Sequence, residues 1–330
     1  MELQLKNIGM IKEANIKLDG LTVIAGENDT GKSTVGKALF VILQGITSDE
    51  KENKNENELL ELKYHSIFKK VFKQNKLEKN GLISLSTSHA RYYMEDDMKN
   101  TISGASTFYK DKHFEGIIFI ETPLVWNFTD FFRDIALIES QMKIEVDYPY
   151  LMKDLNFKLF IKNASDGLNI KDKVTSLMGG QFEKDEKGSF FFNKNAKRIE
   201  LVNTATGIKY FGIFQVLSQN NYLNENTVLI LDEPEVHLHP KWQLEMAKII
   251  VELVKNGVKV LVNSHSPYMI EALQRYSELE KVNSDFYLAE DGYMQKENDS
   301  NSETLAKIFE KLSEPFDVFE EMDMERLLNV

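Results

Sequence analysis

The sequence predicts an α/β protein with a mixed or parallel central sheet, antiparallel strands at its N-terminal end and a helical lobe. The first observation is a strand, a glycine-rich loop and a helix start within residues 21–42. The second is an apolar run at residues 228–231, followed by a helical pattern and by another apolar run at 258–263. A strand, a helix and a strand in succession are typical of a right-handed parallel crossover. Ligands of such sheets bind at the carboxyl ends of the strands.

The composition is typical of a soluble globular protein, with 42% apolar and 28% charged residues in a chain of 330. This length suits one large α/β domain or two smaller ones. No run approaches the roughly 18 apolar residues that a membrane span requires, and the first residues open a strand pattern rather than a signal peptide. The absence of cysteine excludes disulfides and thiolate metal sites and favours a cytoplasmic location.

The net charge of the chain is −12. Nucleic-acid binding usually requires a basic patch or stripe, so the overall charge does not support DNA as a partner. A local basic groove stays open as an alternative.

Three short strands are expected before the glycine-rich loop. Leu3 and Leu5 mark the first strand, residues 11–18 the second and residues 21–25 the third. The Asp-Gly pair at 19–20 is the turn signal between the last two strands. These strands form the antiparallel part of the predicted sheet.

The glycine-rich loop, residues 26–34, matches the spacing G-x-x-x-x-G-K-[ST] of a phosphate-binding loop. In this motif, successive backbone N–H groups and the positive end of the following helix hold a polyphosphate. Lys32 is expected to neutralise the outer phosphate oxygens, and Ser33 to place its hydroxyl on Mg²⁺. The expected strand before the loop and helix after it, to about residue 46, favour this motif over an ordinary glycine-rich turn. The predicted nucleotide-binding residues of this phosphate loop are Asn28, Asp29, Thr30, Gly31, Lys32, Ser33 and Thr34.

Residues 47–115 are predicted to form a helical insertion. Their first part, to about residue 80, is rich in Lys, Glu and Asn, and apolar residues recur there at helical spacing. No heptad pattern persists over three or four repeats, so a long coiled coil is not expected. Strand character returns at residues 82–86.

Residues 116–200 are predicted to form a helical and β-rich lobe. A buried strand is expected at 116–120, mainly helical structure at 124–178 and strand structure around 189–192. Four aromatic residues of the helical part are expected to pack in the core rather than to form a stacking platform. They are Trp126, Phe128, Phe131 and Phe132.

Two acids, Asp232 and Glu233, follow the apolar run at 228–231 directly. A continuous apolar run is typical of a central parallel strand, so these acids are expected at a strand end where ligands bind. Asp232 can hold Mg²⁺ directly or through water and complete the metal site with Ser33. Glu233, the next residue, is expected to point in a different direction from Asp232 and to orient and deprotonate an attacking water. A solvated loop is the alternative, and the phosphate loop upstream favours the catalytic interpretation.

Three histidines follow these acids. His265 comes after the next predicted strand, where its imidazole could contact the γ-phosphate, and a merely structural hydrogen bond is the alternative. His237 and His239 form a His-x-His pair, but no further ligand set with metal spacing lies nearby. A metal site is therefore not expected there, and the position of the pair suits a loop at a subunit interface.

The chain resembles the ABC-type ATPases of the SMC, RecF and OLD group over most of its length. Residues 5–14 are similar to the first strand pair of that group, the phosphate loop to its Walker A motif and residues 229–233 to its Walker B motif. Residues 234–240 resemble the D-loop region of OLD-like members, and residues 263–267 the segment of the switch histidine. Residues 120–123 resemble the segment that leads into the Q-loop.

The resemblance implies a discontinuous nucleotide-binding core, made of residues 1–46 and 201–300, and a C-terminal acidic helical segment at 301–330. It implies ATP and Mg²⁺ as ligands and Mg²⁺-dependent ATP hydrolysis as the reaction. The catalytic residues that it implies are Glu233 and His265. The choice of ATP comes from the resemblance alone.

In this group two heads enclose ATP, and the signature motif of one head reaches the γ-phosphate bound to the other. The signature candidate here is Thr204, Ala205, Thr206 and Gly207, which open a helix whose N-terminus could face phosphate. Ala205 stands where the usual Leu-Ser-Gly-Gly-Gln form has serine. A contact across the dimer would then come from backbone N–H groups, from Thr204 or from Thr206. The resemblance thus implies a homodimer around ATP.

The expected function is that of a cytoplasmic ATPase that dimerises on ATP and regulates a separate effector protein. Stand-alone OLD-like ATPases are thought to act in this way, in bacterial anti-phage defence. The short stretch after His265 lacks the glutamate and later Asp-x-Asp pattern of the Toprim nuclease domain that OLD nucleases carry. No nuclease domain and no membrane partner are therefore expected.

Three other functions stay open. A DNA-repair or recombination ATPase of the RecF kind needs a basic groove across the paired heads, against which the acidic charge argues. A nucleotide-binding subunit of a membrane transporter would carry a more standard signature motif. A scaffold that uses ATP only as a structural ligand would have no use for Glu233.

Overall fold

The computed structural model of the chain describes residues 1–47, 56–88, 91–96, 100–103, 114, 116–144, 146 and 149–328. Within these residues the chain forms an α/β fold around a sheet of eleven strands, and three further strands form a separate small sheet. The mixed α/β architecture predicted from the sequence is confirmed.

Strands and helices follow one another in short groups along the first part of the described chain and alternate mainly from α6 onward. The strands are β1 (Glu2–Ile8), β2 (Ile11–Lys17), β3 (Leu21–Ala25), β4 (Leu82–Ser86), β5 (Arg91–Glu95), β6 (Asn100–Ser103), β7 (Gly116–Ile120), β8 (Gln181–Lys184), β9 (Phe190–Lys194), β10 (Lys197–Glu200), β11 (Thr227–Asp232), β12 (Lys259–Ser264), β13 (Ser284–Glu290) and β14 (Tyr293–Gln295). The helices are α1 (Lys32–Thr47), α2 (Glu56–Phe72), α3 (Thr129–Met142), α4 (Tyr150–Phe160), α5 (Lys171–Met178), α6 (Thr206–Gln219), α7 (Pro240–Lys255), α8 (Pro267–Glu280) and α9 (Asn301–Leu328). Short 3₁₀ helices lie at Pro123–Phe128, Leu201–Asn203 and Glu297–Asp299.

The large sheet joins a parallel half to an antiparallel arm. In the parallel half the strand order is β13, β3, β12, β11 and β7, and all neighbours run in the same direction. The arm has the order β6, β5, β4, β1 and β2, with antiparallel pairing throughout. The short strand β14 links the two parts because it pairs with both β13 and β2. The expectation of antiparallel N-terminal strands is therefore confirmed for β1 and β2 but wrong for β3, which runs parallel to both of its neighbours. The predicted strand–helix–strand unit is formed by β11, α7 and β12.

Strand β3 shows why the central strands are continuous apolar runs. All of its residues are buried, because helices cover both faces of this part of the sheet. Leu21 and Val23 belong to one core cluster, together with residues of α6, α7 and α8, whereas Ile24 belongs to a second cluster with α1. Successive side chains of a strand point to opposite faces, which explains this alternation. The end of β3 that leads into the phosphate loop is thus held from both sides.

The segment 47–115 is not only helical. Its described part contains α2 and three strands, and β4 pairs with β1 from Glu2 opposite Ser86 to Lys6 opposite Leu82. The strand expected at residues 82–86 is present as β4, whereas β5 and β6 lie where a helical insertion was predicted, and the prediction is wrong there. The strands β5 and β6 lie at the end of the arm and obtain their partners only through β4, so their sequence carries little strand signal of its own. The division of the chain into domains stays a prediction.

The lobe that precedes α6 has a core of aromatic side chains. Trp126 is buried and stacks on Phe182 with 4.8 Å between ring centroids, and Phe190 meets it edge-on at 5.0 Å. The indole N–H of Trp126 donates to the carbonyl O of Lys209 at 2.8 Å. This hydrogen bond ties the lobe to α6.

The prediction of core packing is right for Trp126 and Phe132, which are buried, but wrong for two of their neighbours. Phe128 and Phe131 leave 42% and 47% of their surface exposed. Successive residues on a helix differ by about 100° in direction, so a helix that packs through one side buries only part of an aromatic run. Helix α3 buries Phe132 and turns Phe131 outward.

Helix α9 forms the C-terminal segment, which was predicted to be helical. Leu305 and Ile308 are buried and anchor its first turns in the core cluster that also contains Phe286 of β13. Beyond Pro315, which lies inside the helix, Val318 and other described apolar side chains are exposed. In the described part of the chain, no helix combines the length and the apolar character needed to cross a bilayer.

Candidate nucleotide-binding site

The phosphate loop joins β3 to α1 at the carboxyl end of the parallel strands. It begins at Gly26, where φ is +153° and where a Cβ would lie 2.4 Å from the carbonyl O of Ala289 on β13. Only glycine fits this close approach of two backbones. Asp29 and Gly31 also have positive φ, at +64° and +94°. These turns lead the chain to the N-terminus of α1, and a helix N-terminus attracts anions.

The side chains of the loop differ in accessibility. Asn28 and Asp29 lie exposed at its tip. Thr30 donates its hydroxyl to the carbonyl O of Glu27 at 2.9 Å, and Thr34 is half-buried on α1. The tip therefore presents polar groups to a ligand, and the binding roles of these residues stay a prediction.

Lys32 is the buried cation of the site. The residue is 4% exposed, and its Nζ donates to the carbonyl oxygens of Gly26 at 3.0 Å and Glu27 at 2.5 Å. Burial lowers the pKa of Lys32, while the charges of Glu233 and Asp232 act in the opposite direction. Backbone carbonyls thus hold the ammonium inside the loop. Phosphate oxygens would be stronger acceptors for it, because charged acceptors form stronger hydrogen bonds than neutral carbonyls.

The structure brings Ser33 and Asp232 into direct contact, although they are 199 residues apart in the chain. The Ser33 hydroxyl donates to Asp232 Oδ1 at 3.1 Å, and the side-chain N–H of Asn263 donates to the same oxygen at 2.8 Å. Burial raises the pKa of Asp232, and these two hydrogen bonds oppose the rise. A hydroxyl beside a carboxylate fits Mg²⁺, which takes one or two protein ligands and completes its shell with phosphate oxygens and water.

A cavity of about 240 Å³ opens beside this pair. Its lining residues are Ser33, Glu121, Thr122, Pro123, Tyr210, Asp232, Glu233 and Val236. The cavity therefore lies where α1, the segment after β7, the helix α6 and the end of β11 meet. Glu121 also forms an ion pair with Lys37 of α1, at 3.6 Å.

We expect an Asp232→Asn variant to unfold at a higher temperature than the wild type in Mg²⁺-free buffer at pH 7, and to hydrolyse ATP poorly. The asparagine carbonyl can still accept from Ser33 and Asn263, but residue 232 no longer buries a negative charge. Because burial raises the pKa of Asp232, its ionisation destabilises the folded state above the ordinary pKa of 3.8, and this penalty disappears as the pH falls towards that value.

Thermal unfolding in EDTA at pH 7 and at pH 4 measures this effect. The difference between variant and wild type should be larger at pH 7 than at pH 4. A variant that is less stable than the wild type at pH 7 would show that the carboxylate stabilises the fold instead.

Glu233 reaches the cavity from a strained backbone position. Its φ is +49°, a region that few residues other than glycine adopt, and its N–H donates to the carbonyl O of Asn263 at 2.9 Å. The carboxylate Oε1 lies 3.3 Å from Nδ1 of His265, which directly follows β12. The two side chains are 34% and 39% exposed, so both are accessible from the cleft. The structure thus brings the two predicted catalytic residues together, while their roles stay a prediction.

The signature residues lie at the start of α6. Thr204 is buried and donates its hydroxyl to the last carbonyl of β10 at 3.0 Å. Ala205 is the N-cap of α6 and makes no side-chain capping bond, and the helix begins at Thr206. A Cβ on Gly207 would lie 3.1 Å from a methyl group of Leu238, so the start of α6 packs against the segment after β11. The predicted contact of this motif with a nucleotide on a second head stays a prediction.

The His-x-His pair lies in the connection between β11 and α7. His239 caps α7, since its Nδ1 accepts from the N–H of Lys241 at 3.3 Å, and His237 is exposed with a φ of +66°. Among the residues with described positions, no group of three or more His, Cys, Asp or Glu side chains is placed to hold a metal.

Three buried residues with polar groups belong to the site but were not predicted from the sequence. They are Tyr210, Glu235 and Asn263. Asn263 could have been found from the sequence, because it is the last residue of the strand predicted at 258–263. In the structure it is paired with Asp232 in the parallel register of β11 and β12. Glu235 is a third acid close behind Asp232, and burial raises its pKa. Tyr210 has no local signal, since only the packing of α6 over the cavity brings it there.

Two family models match parts of the chain. A model described as AAA ATPase domain matches residues 136–270, and one described as AAA domain matches residues 1–79. The chain is an ATPase. The two matched segments contain the two halves of the site, with Lys32 in one and Asp232 in the other. The predicted enzyme class is confirmed, and so is the resemblance to the ABC-type ATPases of the SMC, RecF and OLD group.

Known proteins with similar sequence or fold cover most of the chain. The Septu protein PtuA of Bacillus thuringiensis is 21% identical over 309 residues, which are 82% of this chain and 72% of that protein. The Smc head solved with the C-winged helix domain of ScpA has a TM-score of 0.49 and 15% identity, and the match covers 89% of this chain and 95% of that one. An ATP-binding cassette of an ABC transporter in its ADP conformation has a TM-score of 0.41 and 15% identity, with 98% and 99% covered.

Proposed function

We propose that this ATPase dimerises around ATP and Mg²⁺ and regulates a separate effector protein in anti-phage defence. The observation that carries the proposal is the contact of Ser33 with Asp232 beside the buried Lys32, which brings two segments remote in sequence together in one cleft. The similarity to the Septu protein PtuA supports the defence setting, at low identity. The effector belongs to the proposal because stand-alone OLD-like ATPases, which the chain resembles, are thought to regulate separate proteins.

Each part of the site has a role in hydrolysis. The phosphate loop and Lys32 bind the phosphates, and Ser33 with Asp232 would hold Mg²⁺. When bound, the ion would supply positive charge that stabilises the negative charge on the phosphate oxygens during hydrolysis. Glu233 orients the attacking water and accepts its proton. His265, within 3.3 Å of Glu233, would contact the γ-phosphate and sense its loss.

A second head would complete the site. The residues 204–207 open α6, and the partial positive charge of a helix N-terminus favours an anion. Ala205 has no side-chain donor, so we expect backbone N–H groups and the hydroxyls of Thr204 or Thr206 to reach the nucleotide of the partner. In each protomer the same helix end packs on Leu238, just beyond the catalytic strand. Such packing would let dimerisation act on the position of Glu233.

The mass of a Glu233→Gln variant with and without ATP tests the proposal. Glutamine keeps the shape of the side chain but cannot accept a proton, so ATP should stay bound and hold the heads together. Light scattering should give about twice the protomer mass of 38.1 kDa with Mg²⁺ and ATP, and the protomer mass without nucleotide. The double variant Lys32→Ala/Glu233→Gln is the matched control and should stay a monomer. If Glu233→Gln has the same molar mass with and without ATP, dimerisation around the nucleotide is refuted.

The defence role is read out in cells. When the gene is expressed with its neighbouring genes, phages should form plaques less efficiently than on cells without these genes. Cells that carry the Lys32→Ala variant should support normal plaque formation. Equal plaque formation with the wild type and the variant would refute the role in defence. Dimerisation would still be tested by the mass measurement.

A further inference from the structure

Glu235 is a buried acid that receives several hydrogen bonds on one oxygen. The residue is 4% exposed and comes two positions after Glu233. Its Oε1 accepts from the hydroxyl of Ser264 at 2.7 Å and from the backbone N–H groups of His265 at 2.9 Å and Ser266 at 3.2 Å. Residues 264–266 are the segment that carries His265, which we call the His265 loop. One carboxyl therefore holds this loop at all three of its residues.

The hydrogen bonds continue from the His265 loop into a closed ring. The hydroxyl of Ser266 donates to Oε1 of Gln243 on α7 at 2.7 Å, and Nε2 of Gln243 donates to the carbonyl O of Leu238 at 3.1 Å. The N–H of Leu238 then donates to the backbone carbonyl O of Glu235 at 2.9 Å. The His265 loop, the start of α7 and the segment after β11 are thus tied to one another. Glu235 takes part in the ring both through its carboxyl group and through its backbone carbonyl.

Glu235 and Glu233 lie on either side of the same imidazole. Nδ1 of His265 is 3.3 Å from Oε1 of Glu233 and 3.6 Å from Oε1 of Glu235, without hydrogen-bond geometry to either. The Glu235 side chain is 3% exposed, whereas that of Glu233 is 34% exposed. Glu233 therefore faces the cleft, and Glu235 lies behind the imidazole in the interior.

The burial of this carboxyl is costly for the fold. Its second oxygen, Oε2, has no hydrogen-bond partner among the described residues, and a buried polar atom in that state destabilises the fold. Apolar residues of similar volume often stabilise a core better than buried charged groups do. An acid at this position is therefore better explained by what it does to the His265 loop than by stability.

We propose that Glu235 is a positioning residue for ATP hydrolysis, which holds the His265 loop so that the imidazole lies beside Glu233. It acts through these two residues and does not touch the nucleotide. The inference rests on the catalytic roles proposed above for Glu233 and His265. It adds a third acid to the machinery, with a role that differs from those of Asp232 and Glu233.

Replacing Glu235 by three different residues separates the hydrogen bonds from the charge. Glu235→Ala removes the acceptor, and we expect kcat to fall about tenfold or more, with the KM for ATP within about twofold of the wild type. Glu235→Gln keeps an oxygen for the same three donors and should retain kcat within about threefold. Glu235→Asp withdraws the carboxyl by one methylene and should lower kcat, which keeps the test informative if the alanine variant does not fold. Glu245→Ala, which removes an acid at the surface of α7 that pairs with Lys248, is the control and should leave kcat unchanged.

A double-mutant cycle with His265 distinguishes positioning from a purely structural role. If Glu235 acts through the imidazole, Glu235→Ala should lower kcat only about twofold further in a His265→Ala background. If the decrease in kcat of the double variant equals the product of the decreases in the two single variants, the proposal is overturned. So would an alanine variant with a lower melting temperature but a normal kcat per nucleotide-binding site.

The same set of variants tells this inference apart from the proposed function. If Glu233→Gln and His265→Ala hydrolyse ATP normally, the proposed catalytic roles fail and the inference about Glu235 fails with them. If those two variants are impaired while Glu235→Ala and Glu235→Asp are not, only the role of Glu235 is refuted.

Discussion

A Lys32→Ala variant should bind ATP about 100-fold or more weakly than the wild type and lose hydrolysis with it. The Lys32 ammonium is surrounded by the charges of four acids, which are Glu233, Asp232, Glu235 and Glu27. Without it these four acids would lose the buried cation at the centre of their group, and a triphosphate adds several more negative charges. Removing two charge-assisted hydrogen bonds, worth about 1.5–3 kcal/mol each, corresponds to at least this loss of affinity.

Titration calorimetry with Mg²⁺ and ATP measures the effect. The control is Lys255→Ala, which removes a lysine that is 57% exposed at the last turn of α7 and pairs with Glu280 at 2.5 Å. This control should bind ATP within about twofold of the wild type, because exposed ion pairs contribute little. Circular dichroism establishes that Lys32→Ala is folded. A folded variant with wild-type affinity would mean that ATP binds elsewhere.

A Glu233→Gln variant should bind ATP with nearly wild-type affinity and hydrolyse it about 10²–10⁴ times more slowly. Loss of a positioned general base has an effect of this size. Glu233 lies at the cavity, with its carboxylate 3.3 Å from the His265 imidazole, and its backbone is held at a φ of +49°. Glutamine preserves the volume and the backbone contacts, so the defect should be confined to the chemical step.

Single-turnover hydrolysis with enzyme in excess over ATP isolates that step from product release. The matched control is Glu245→Gln on the surface of α7, which should turn over normally. Normal single-turnover rates in Glu233→Gln would assign the base to another residue and would also remove the basis for trapping a dimer with this variant.

Sequence reasoning worked best where the chemistry is contiguous in the chain. The phosphate loop could be located because its glycines, its lysine and its hydroxyls lie next to one another between a strand and a helix. The apolar run before Asp232 could be identified as a central strand because both faces of such a strand are buried. The adjacency of Ser33 and Asp232 followed from the rule that parallel strands present their carboxyl ends at one edge.

Sequence reasoning was weakest where neighbours decide the environment. The strands β5 and β6 extend the arm only because β4 offers them an edge, and Phe131 is exposed only because α3 packs through its other side. The same holds for Glu235, whose importance arises from donors about 30 residues further along the chain. No local pattern indicates that one oxygen of this acid holds a loop of another strand.

Sequence alone determined that this protein has a glycine-rich loop with the spacing of a phosphate-binding motif, a pair of acids at the end of a buried strand and an α/β fold whose first two strands are antiparallel. These features are encoded by short-range spacing, which the backbone geometry of strands and helices turns directly into structure. Tertiary structure alone decided that Tyr210 lines the cavity and that Glu235 lies behind His265. The reason is physical, because burial and hydrogen bonding of a side chain depend on segments that come together only when the sheet closes over its two cores.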